Sequence, residues 1–375
     1  MRILHTSDWH LGRVLHEHSL LRDQEMFLGE LLERLRASRF EALVIAGDVF
    51  DRSIPSEDAV GLWNAFLEGF REACPDTALL VIAGNHDSAT RVALASRLLE
   101  AGGIHIRGGG ERVDEPVRLP GADIWLVPFL WSGSLSIDGE NGRVLLQTQR
   151  EALEEAVARI RRHMDPERLN VLVAHCFATG GEVSDSERTL VGTAIQIETR
   201  TFEGFDYVAL GHLHRPQGLG PRIRYSGTPL AYSFSEAGQS KSMAAITLVK
   251  GAEPQVELLP VSPLRPMVNL KGTLEELLEE ERFAGLGEAY VRVTLTKPAG
   301  ISQPVARLRS RFPLLLDFQE YCAPQSQSTA PIPAIQKADL GEEFRAFERR
   351  LREVDPSDAL VAAFGELRAE LEQSR

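Results

Sequence analysis

Asp8 and His10, Asp48, Asn85 and His86, His175, and finally His212 and His214 are the residues whose types and spacing could do chemistry. They occur as D-W-H, G-D-V-F-D, G-N-H-D, A-H-C and G-H-L-H, in that order. Carboxylate, carboxamide and imidazole groups suit Mn, Fe, Zn or Co rather than Cu(I) or an iron–sulfur cluster. Without His86, the candidates are Asp8, His10, Asp48, Asn85, His175, His212 and His214, too many for one ion but suited to two. A phosphodiester resists attack because an anionic nucleophile meets anionic oxygens. Two ions about 3.5–4 Å apart solve this by generating hydroxide and clamping the phosphate. Asp48 is the natural bridge, since one carboxylate offers two oxygens.

Each cluster directly follows a short apolar run: Ile3-Leu4, Ala42–Ala46, Leu79–Ala83, Val171–Ala174 and Tyr207–Leu210. Runs of that length and β-branched content read as buried strands. Strand ends hold side chains rigidly while exposing them in the following loop, which is where open α/β sheets place their chemistry. A lone D-x-H or G-N-H is more often a turn, but five such clusters in order at strand ends are not explained by structure alone. In D-W-H and G-H-L-H, side chains two apart on an extended backbone share a face. Amphipathic helices are expected at Leu20–Ala37, Glu57–Ala73 and Leu146–His163. The β-α-β-α-β order predicts parallel strands with right-handed crossovers. The expected fold class is α/β, with two sheets packed face to face, helices outside and the candidate ligands along one edge.

Pro260, Pro263 and Pro266 mark a boundary. Val268–Phe318 then reads as strand, helix, strand, helix, strand, a small α/β unit. Cys322–Ala334 is a linker by composition. Asp339–Gln373 reads as two helices, the second started by Asp355-Pro356. Phe344, Phe347 and Leu351 line one face of the first, and Leu360, Val361, Phe364, Leu367 and Leu371 one face of the second. Two short helices cannot bury such faces alone, so a partner groove is the expected cover. The expected domains are 1–262, 267–320, a linker at 321–336 and a tail at 337–375.

The five clusters resemble the calcineurin-like metallophosphoesterase superfamily, whose pattern is D-x-H, G-D, G-N-H-D/E, H and G-H-x-H. The opening M-R-I-L-H-T-S-D-W-H-L-G-R, the G-D-V-F-D, the G-H-L-H-R-P and the segment Tyr225–Glu236 are similar to the SbcD-type nucleases within it. The resemblance is strong over about residues 1–250. It implies a two-sheet sandwich flanked by helices, with a small capping domain for DNA recognition. It assigns Asp8, His10, Asp48 and His214 to one ion, and Asp48, Asn85, His175 and His212 to the other. Mn2+ is the expected metal, with Mg2+, Fe2+ or Co2+ as alternatives. His86 is then no ligand but sits over the phosphate, to protonate the leaving 3′-oxygen or stabilise phosphoryl charge, and Asp87 could orient it. Arg13, His16, Arg52 and Arg215 are weaker candidates for phosphate contact. The implied activity is a Mn2+-dependent 3′→5′ exonuclease and single-strand or hairpin endonuclease. Its implied partners are DNA and an SbcC-like ATPase gripped by the C-terminal helices, in a heterotetramer built on a homodimer. A phosphatase or cyclic-nucleotide phosphodiesterase would share the metal set but needs neither cap nor tail, and a non-catalytic DNA-end scaffold would not need all the ligands.

At 375 residues, 43% apolar and 25% charged, the chain has room for a large domain and a small one. No apolar stretch is of membrane-spanning length, and no signal peptide is expected ahead of the first strand. Only Cys74, Cys176 and Cys322 are present, so no disulfide framework is expected and the cytoplasm is the expected compartment. A net charge of −13 argues against broad nonspecific nucleic-acid binding. It leaves room for a nuclease whose metals or partner supply part of the affinity for DNA.

Overall fold

The computed structural model describes residues 1–139, 142–184, 196–298, 300–321, 344–345, 348–349 and 356–373. By internal contacts the chain divides into Met1–Tyr321 and Cys322–Arg375.

Two six-stranded sheets dominate the first unit. One runs in the spatial order Gln255–Pro260, Ser242–Thr247, Arg2–Thr6, Ala42–Ile45, Ala78–Ile82, Ile104–Arg107. Its last four strands are parallel, and the first two are antiparallel additions. The other sheet runs Gln217–Gly218, Ile223–Tyr225, Tyr207–Gly211, Leu169–His175, Ala122–Val127, Val117–Leu119. Its four central strands are parallel and its edges antiparallel. Alternation along the strands builds the layers. Val44, Leu80 and Ile82 of the first sheet share a dry core with Ile124, Val171, Val173 and Ala209 of the second. Leu43, Leu79 and Val81 point the other way, onto Phe27, Leu31, Trp63, Phe66 and Phe70 of two helices. Leu172 and Leu210 pack on Leu153, Val157 and Ile160 of a third. Strands buried on both faces explain the unbroken apolar runs in the sequence.

The helices span Leu21–Ala37, Glu57–Ala73 and Gln149–Arg161. The last starts three residues after the expected Leu146 because Thr148 caps it. Thr148 accepts from the Glu151 N–H while the Glu151 carboxylate accepts from the Thr148 N–H.

Residues beyond the prolines form a three-stranded parallel sheet, Met267–Gly272, Tyr290–Leu295 and Leu315–Glu320. Leu277, Leu308 and Phe312 of its two helices bury against Val291, Val293 and Leu295 as a separate core. The first helix, Leu274–Glu279, stops because Glu280 adopts extended backbone and a 3-10 turn follows.

In the second unit, a helix spans Asp358–Gln373. It begins after Pro356 rather than at it: the Leu360 N–H donates to both the Ser357 carbonyl and Ser357 Oγ, so Ser357 closes the first turn, and Asp355 lies outside the described residues. Phe344 stacks on Phe364 with ring centroids 4.2 Å apart and nearly parallel planes, and both residues stay half-buried. The expected linker Cys322–Ala334, together with Phe347 and Leu351, lies outside the described residues, as do the side chains of Leu367 and Leu371.

Candidate metal centre

The carboxyl ends of Arg2–Thr6, Ala42–Ile45 and Ala78–Ile82 in one sheet, and of Leu169–His175 and Tyr207–Gly211 in the other, open onto one edge of the sandwich. Their loops are bound backbone to backbone: the Asp8 N–H donates to the Gly47 carbonyl (2.9 Å) and the His10 N–H to the Asp48 carbonyl (3.0 Å). Asp8, His10, Asp48 and His212 all hold positive φ, at 54°, 45°, 51° and 109°. Non-glycine residues in that region carry strain, and such strain concentrates at functional sites. The glycines of the motifs are there for room. A Cβ on Gly47, whose φ is +94°, would meet His175 Nδ1 at 2.2 Å, and one on Gly84 would meet Asp48 Oδ1 at 2.1 Å.

Asp48 is the hub. Its Oδ1 accepts from the His86 N–H (2.8 Å), and its Oδ2 lies 3.5 Å from His175 Nε2 and 3.7 Å from His10 Nε2. Two groups with ligand atoms within 4.8 Å of one another share it: Asp8, Asp48 and His175, and His10, Asp48 and His86. Asn85 Oδ1 lies 3.0 Å from His175 Nε2 and 2.9 Å from His212 Nδ1. The Asp8 carboxylate accepts from the Ser7 hydroxyl (2.5 Å) and from the His212 N–H (3.0 Å). The His10 and His214 ring centroids are 5.1 Å apart. All seven expected ligands therefore meet in one place.

The donor set fits divalent ions. Among the described residues, both ring nitrogens of His10 and Nε2 of His212 are buried without a hydrogen-bond partner, which is rare for buried polar atoms unless something else engages them. Burial works against charge on Asp48, yet His175 and His10 outweigh it and hold that carboxyl below its usual range. Burial also opposes charge on His175, but Asp48 lifts its imidazole to about 9. Burial pushes the Asp8 carboxyl up to about 6, with His175 opposing and Asp48 reinforcing the shift. His212 is pushed down to about 3, first by burial and then by His175, and burial also lowers His10. The His10 and His212 imidazoles, held neutral, are packed with carboxylates that repel one another, a centre that a cation would relieve. Burial pushes the neighbouring Cys176 thiol up to about 12.

Asp87 does not orient His86. Its carboxylate accepts instead from the N–H groups of Val49 (3.0 Å), Phe50 (2.9 Å) and Gly84 (2.9 Å), tying the G-D loop to the G-N loop. Burial raises its carboxyl to about 6, Asp48 adds to the shift and these donors oppose it. The His86 ring is held by the Asp51 carbonyl, which accepts from Nδ1–H at 2.9 Å. Arg13 is turned to Asp51 Oδ1 (2.8 Å), Arg215 pairs with Glu182, Arg52 is exposed with Nε 3.6 Å from Asp51 Oδ2, and exposed His16 rests 5.8 Å from the Phe234 ring.

Family models match residues 1–216 as calcineurin-like phosphoesterase and residues 263–355 as type 5 capsule protein repressor C-terminal domain. A curated relative, the D subunit of the SbcCD nuclease of Staphylococcus epidermidis (strain ATCC 12228 / FDA PCI 1200), is 31% identical over 341 residues, covering 90% of each chain. The chain belongs to the calcineurin-like phosphoesterase family, with the D subunits of SbcCD nucleases. Two solved structures also match, TT1561 of Thermus thermophilus and a dimetal phosphatase from Danio rerio. Each is 13% identical and covers 70% of this chain and 99% of its own, with TM-scores of 0.41 and 0.42. As a member of this family the chain is a metal-dependent phosphoesterase that takes divalent ions. No helix among the described residues is long and apolar enough to cross a membrane.

Sequence reasoning missed the support behind this phosphoesterase's last histidine. Glu236 is fully buried. Its Oε1 lies 3.2 Å from His214 Nδ1, and its Oε2 accepts from Lys241 Nζ at 2.7 Å. Burial opposes its ionisation, but His214 and then Lys241 outweigh that and hold it below the usual carboxylate range. The visible signal was the glutamate ending the segment Tyr225–Glu236. Carboxylates behind ligating histidines fix ring orientation and raise basicity. Glu236→Gln should therefore weaken Mn2+ binding by about 10- to 100-fold. Competition with a fluorescent chelator measures this, and an unchanged affinity would show that Glu236 only braces the loop.

Proposed function

We propose that this chain is the nuclease subunit of an SbcCD-type complex, cutting DNA phosphodiesters with two Mn2+ ions. The observation that carries the reading is Asp48, common to both carboxylate–histidine groups and beside the His10 ring, whose buried nitrogens have no hydrogen-bond partner among the described residues. Two ions at this centre would supply a hydroxide nucleophile and neutralise the phosphate. Asp8, His10, Asp48 and His214 would hold one, and Asp48, Asn85, His175 and His212 the other. His175 enters with its orientation set, since Nδ1 faces the Ala46 carbonyl at 2.8 Å. The nitrogen–oxygen donor set is compatible with Mn2+, as it is with Fe, Zn or Co.

His86 carries the proton chemistry. A carbonyl accepts from Nδ1–H in either charge state of the ring, so Nε2 is the atom that can deliver a proton to the leaving 3′-oxygen. Arg13, His16, Arg52 and Arg215 are reserve phosphate contacts, with Arg52 the freest of them.

The proposed domains are 1–262 for catalysis, 267–320 as a DNA-recognition cap, 321–336 as linker and 337–375 as the segment that binds an SbcC-like ATPase. The separate apolar core beyond the prolines supports the cap. The likeness to an SbcCD nuclease subunit over most of both chains supports the partner; a homodimer-based heterotetramer and a cytoplasmic setting are proposed with it.

The test is cleavage of linear duplex, single-stranded and hairpin DNA with Mn2+, beside a p-nitrophenyl phosphodiester. Digestion from 3′ ends and opening of hairpins are expected. Turnover of the small ester alone would place the chain among phosphatases, and no turnover of either would leave a binding scaffold. Deleting 337–375 should abolish co-elution with the ATPase and ATP-stimulated cutting while basal Mn2+ cleavage persists. A truncated chain that still co-elutes would assign the interface elsewhere.

A further inference from the structure

Four tryptophans occur in the chain. Trp9, Trp63 and Trp125 are buried, whereas Trp131 is 56% exposed. Its position is not incidental. Its ring packs edge-on against Phe129, centroids 4.7 Å apart. Phe129 in turn lies against the rings of His175 (6.1 Å) and His212 (6.4 Å), two histidines of the metal centre. Phe177 meets His212 from another side, at 6.4 Å. The backbone presenting these rings is fixed. The Phe129 N–H donates to the Ala83 carbonyl (2.9 Å), next to the G-N-H loop, Leu130 is buried, and the Ser134 N–H turns back to the Trp131 carbonyl (3.0 Å). An aromatic wall thus runs from the metal-centre histidines outward to one solvent-facing indole.

A phosphate at the metal centre leaves the adjoining sugar and base to be accommodated. Metals and imidazoles answer the charge, but not the flat apolar face of a base. Aromatic side chains bind bases through that face without regard to sequence. A paired base has both faces covered by its neighbours, so only an unpaired or unstacked one can use such a surface. We propose that Trp131, backed by Phe129, is a stacking platform for the nucleobase beside the scissile phosphate, and that it favours unpaired strands. This rests on the nuclease reading above and adds a residue that sets substrate choice.

Because the other three tryptophans are buried away from contact quenching, the part of the intrinsic fluorescence that is lost in Trp131→Phe reports Trp131. A single-stranded oligonucleotide protected by phosphorothioates should quench it. The same backbone carrying abasic sites should not. Binding of the labelled intact strand, followed by anisotropy, should weaken about tenfold in Trp131→Ala and stay within about threefold of the parent in Trp131→Phe, which keeps a ring. Abasic strand should bind all three alike. On unprotected single strands, Trp131→Ala should raise KM while kcat holds. Equal quenching by intact and abasic strands, or parental affinity in Trp131→Ala, would overturn the platform. If the parent cuts single strands while Trp131→Ala behaves as the parent, the platform fails and the nuclease reading stands. If the parent neither binds nor cuts DNA, both fall.

Discussion

In His86→Gln, cleavage of DNA is expected to fall by about 10²- to 10⁴-fold, the usual contribution of a positioned general acid, with metal content unchanged. The leaving group decides this. The 3′-oxygen of a nucleotide departs as a strongly basic alkoxide and needs a proton, whereas nitrophenolate does not. The loss on a p-nitrophenyl phosphodiester should therefore be much smaller than on DNA. The structure favours this role because the Asp51 carbonyl engages Nδ1, which assigns the transferable proton to Nε2. The His10 ring lies edge-on beside His86 at 4.8 Å. Rates on both substrates, read with metal analysis of the purified variant, check the prediction. Equal loss on the two esters would instead make His86 a phosphate-positioning group, and loss of metal would make it a ligand.

Asp48→Asn is expected to remove both ions together and with them all measurable phosphodiester cleavage. The amide can still accept from the His86 N–H as Asp48 Oδ1 does, so the loop should keep its path. What is lost is the charge facing both His175 and His10. Thermal melting separates these effects. In the parent, saturating Mn2+ should raise Tm, since an ion bound only by the folded state stabilises by about 2.7 kcal/mol per site at a hundredfold excess over Kd. In Asp48→Asn that rise should vanish while the metal-free variant still melts cooperatively. A metal-dependent rise of half the parental free energy would mean that one site survives.

Much of this was legible in the chain because the chemistry sits where strand periodicity ends. Apolar runs such as Ala42–Ala46 stop at the residue that turns into the site, so strand and ligand announce each other. Asp8, Asp48, Asn85, His175 and His212 could be placed at strand ends without knowing the sheet order. The role given to Asp87 failed for a physical reason. A carboxylate next to a histidine in sequence points elsewhere when the backbone turns, and three backbone N–H groups of neighbouring loops capture Asp87. Glu236 was invisible in its role because it reaches His214 across 22 positions, a distance no local pattern encodes. Trp131 lay outside every motif. Its meaning comes from Phe129 meeting histidines supplied by two different strands. Helix starts shifted where a side-chain cap overrode the sequence signal, Thr148 against the apolar periodicity from Leu146 and Ser357 against the proline at 356.

The central claim is a two-ion centre bridged by Asp48, and native mass spectrometry across a Mn2+ titration tests it most directly. The parent should add two ions per chain, and Asp48→Asn should lose both over the same range. A parent that binds a single ion, or a variant that retains one at parental affinity, would contradict the bridged centre.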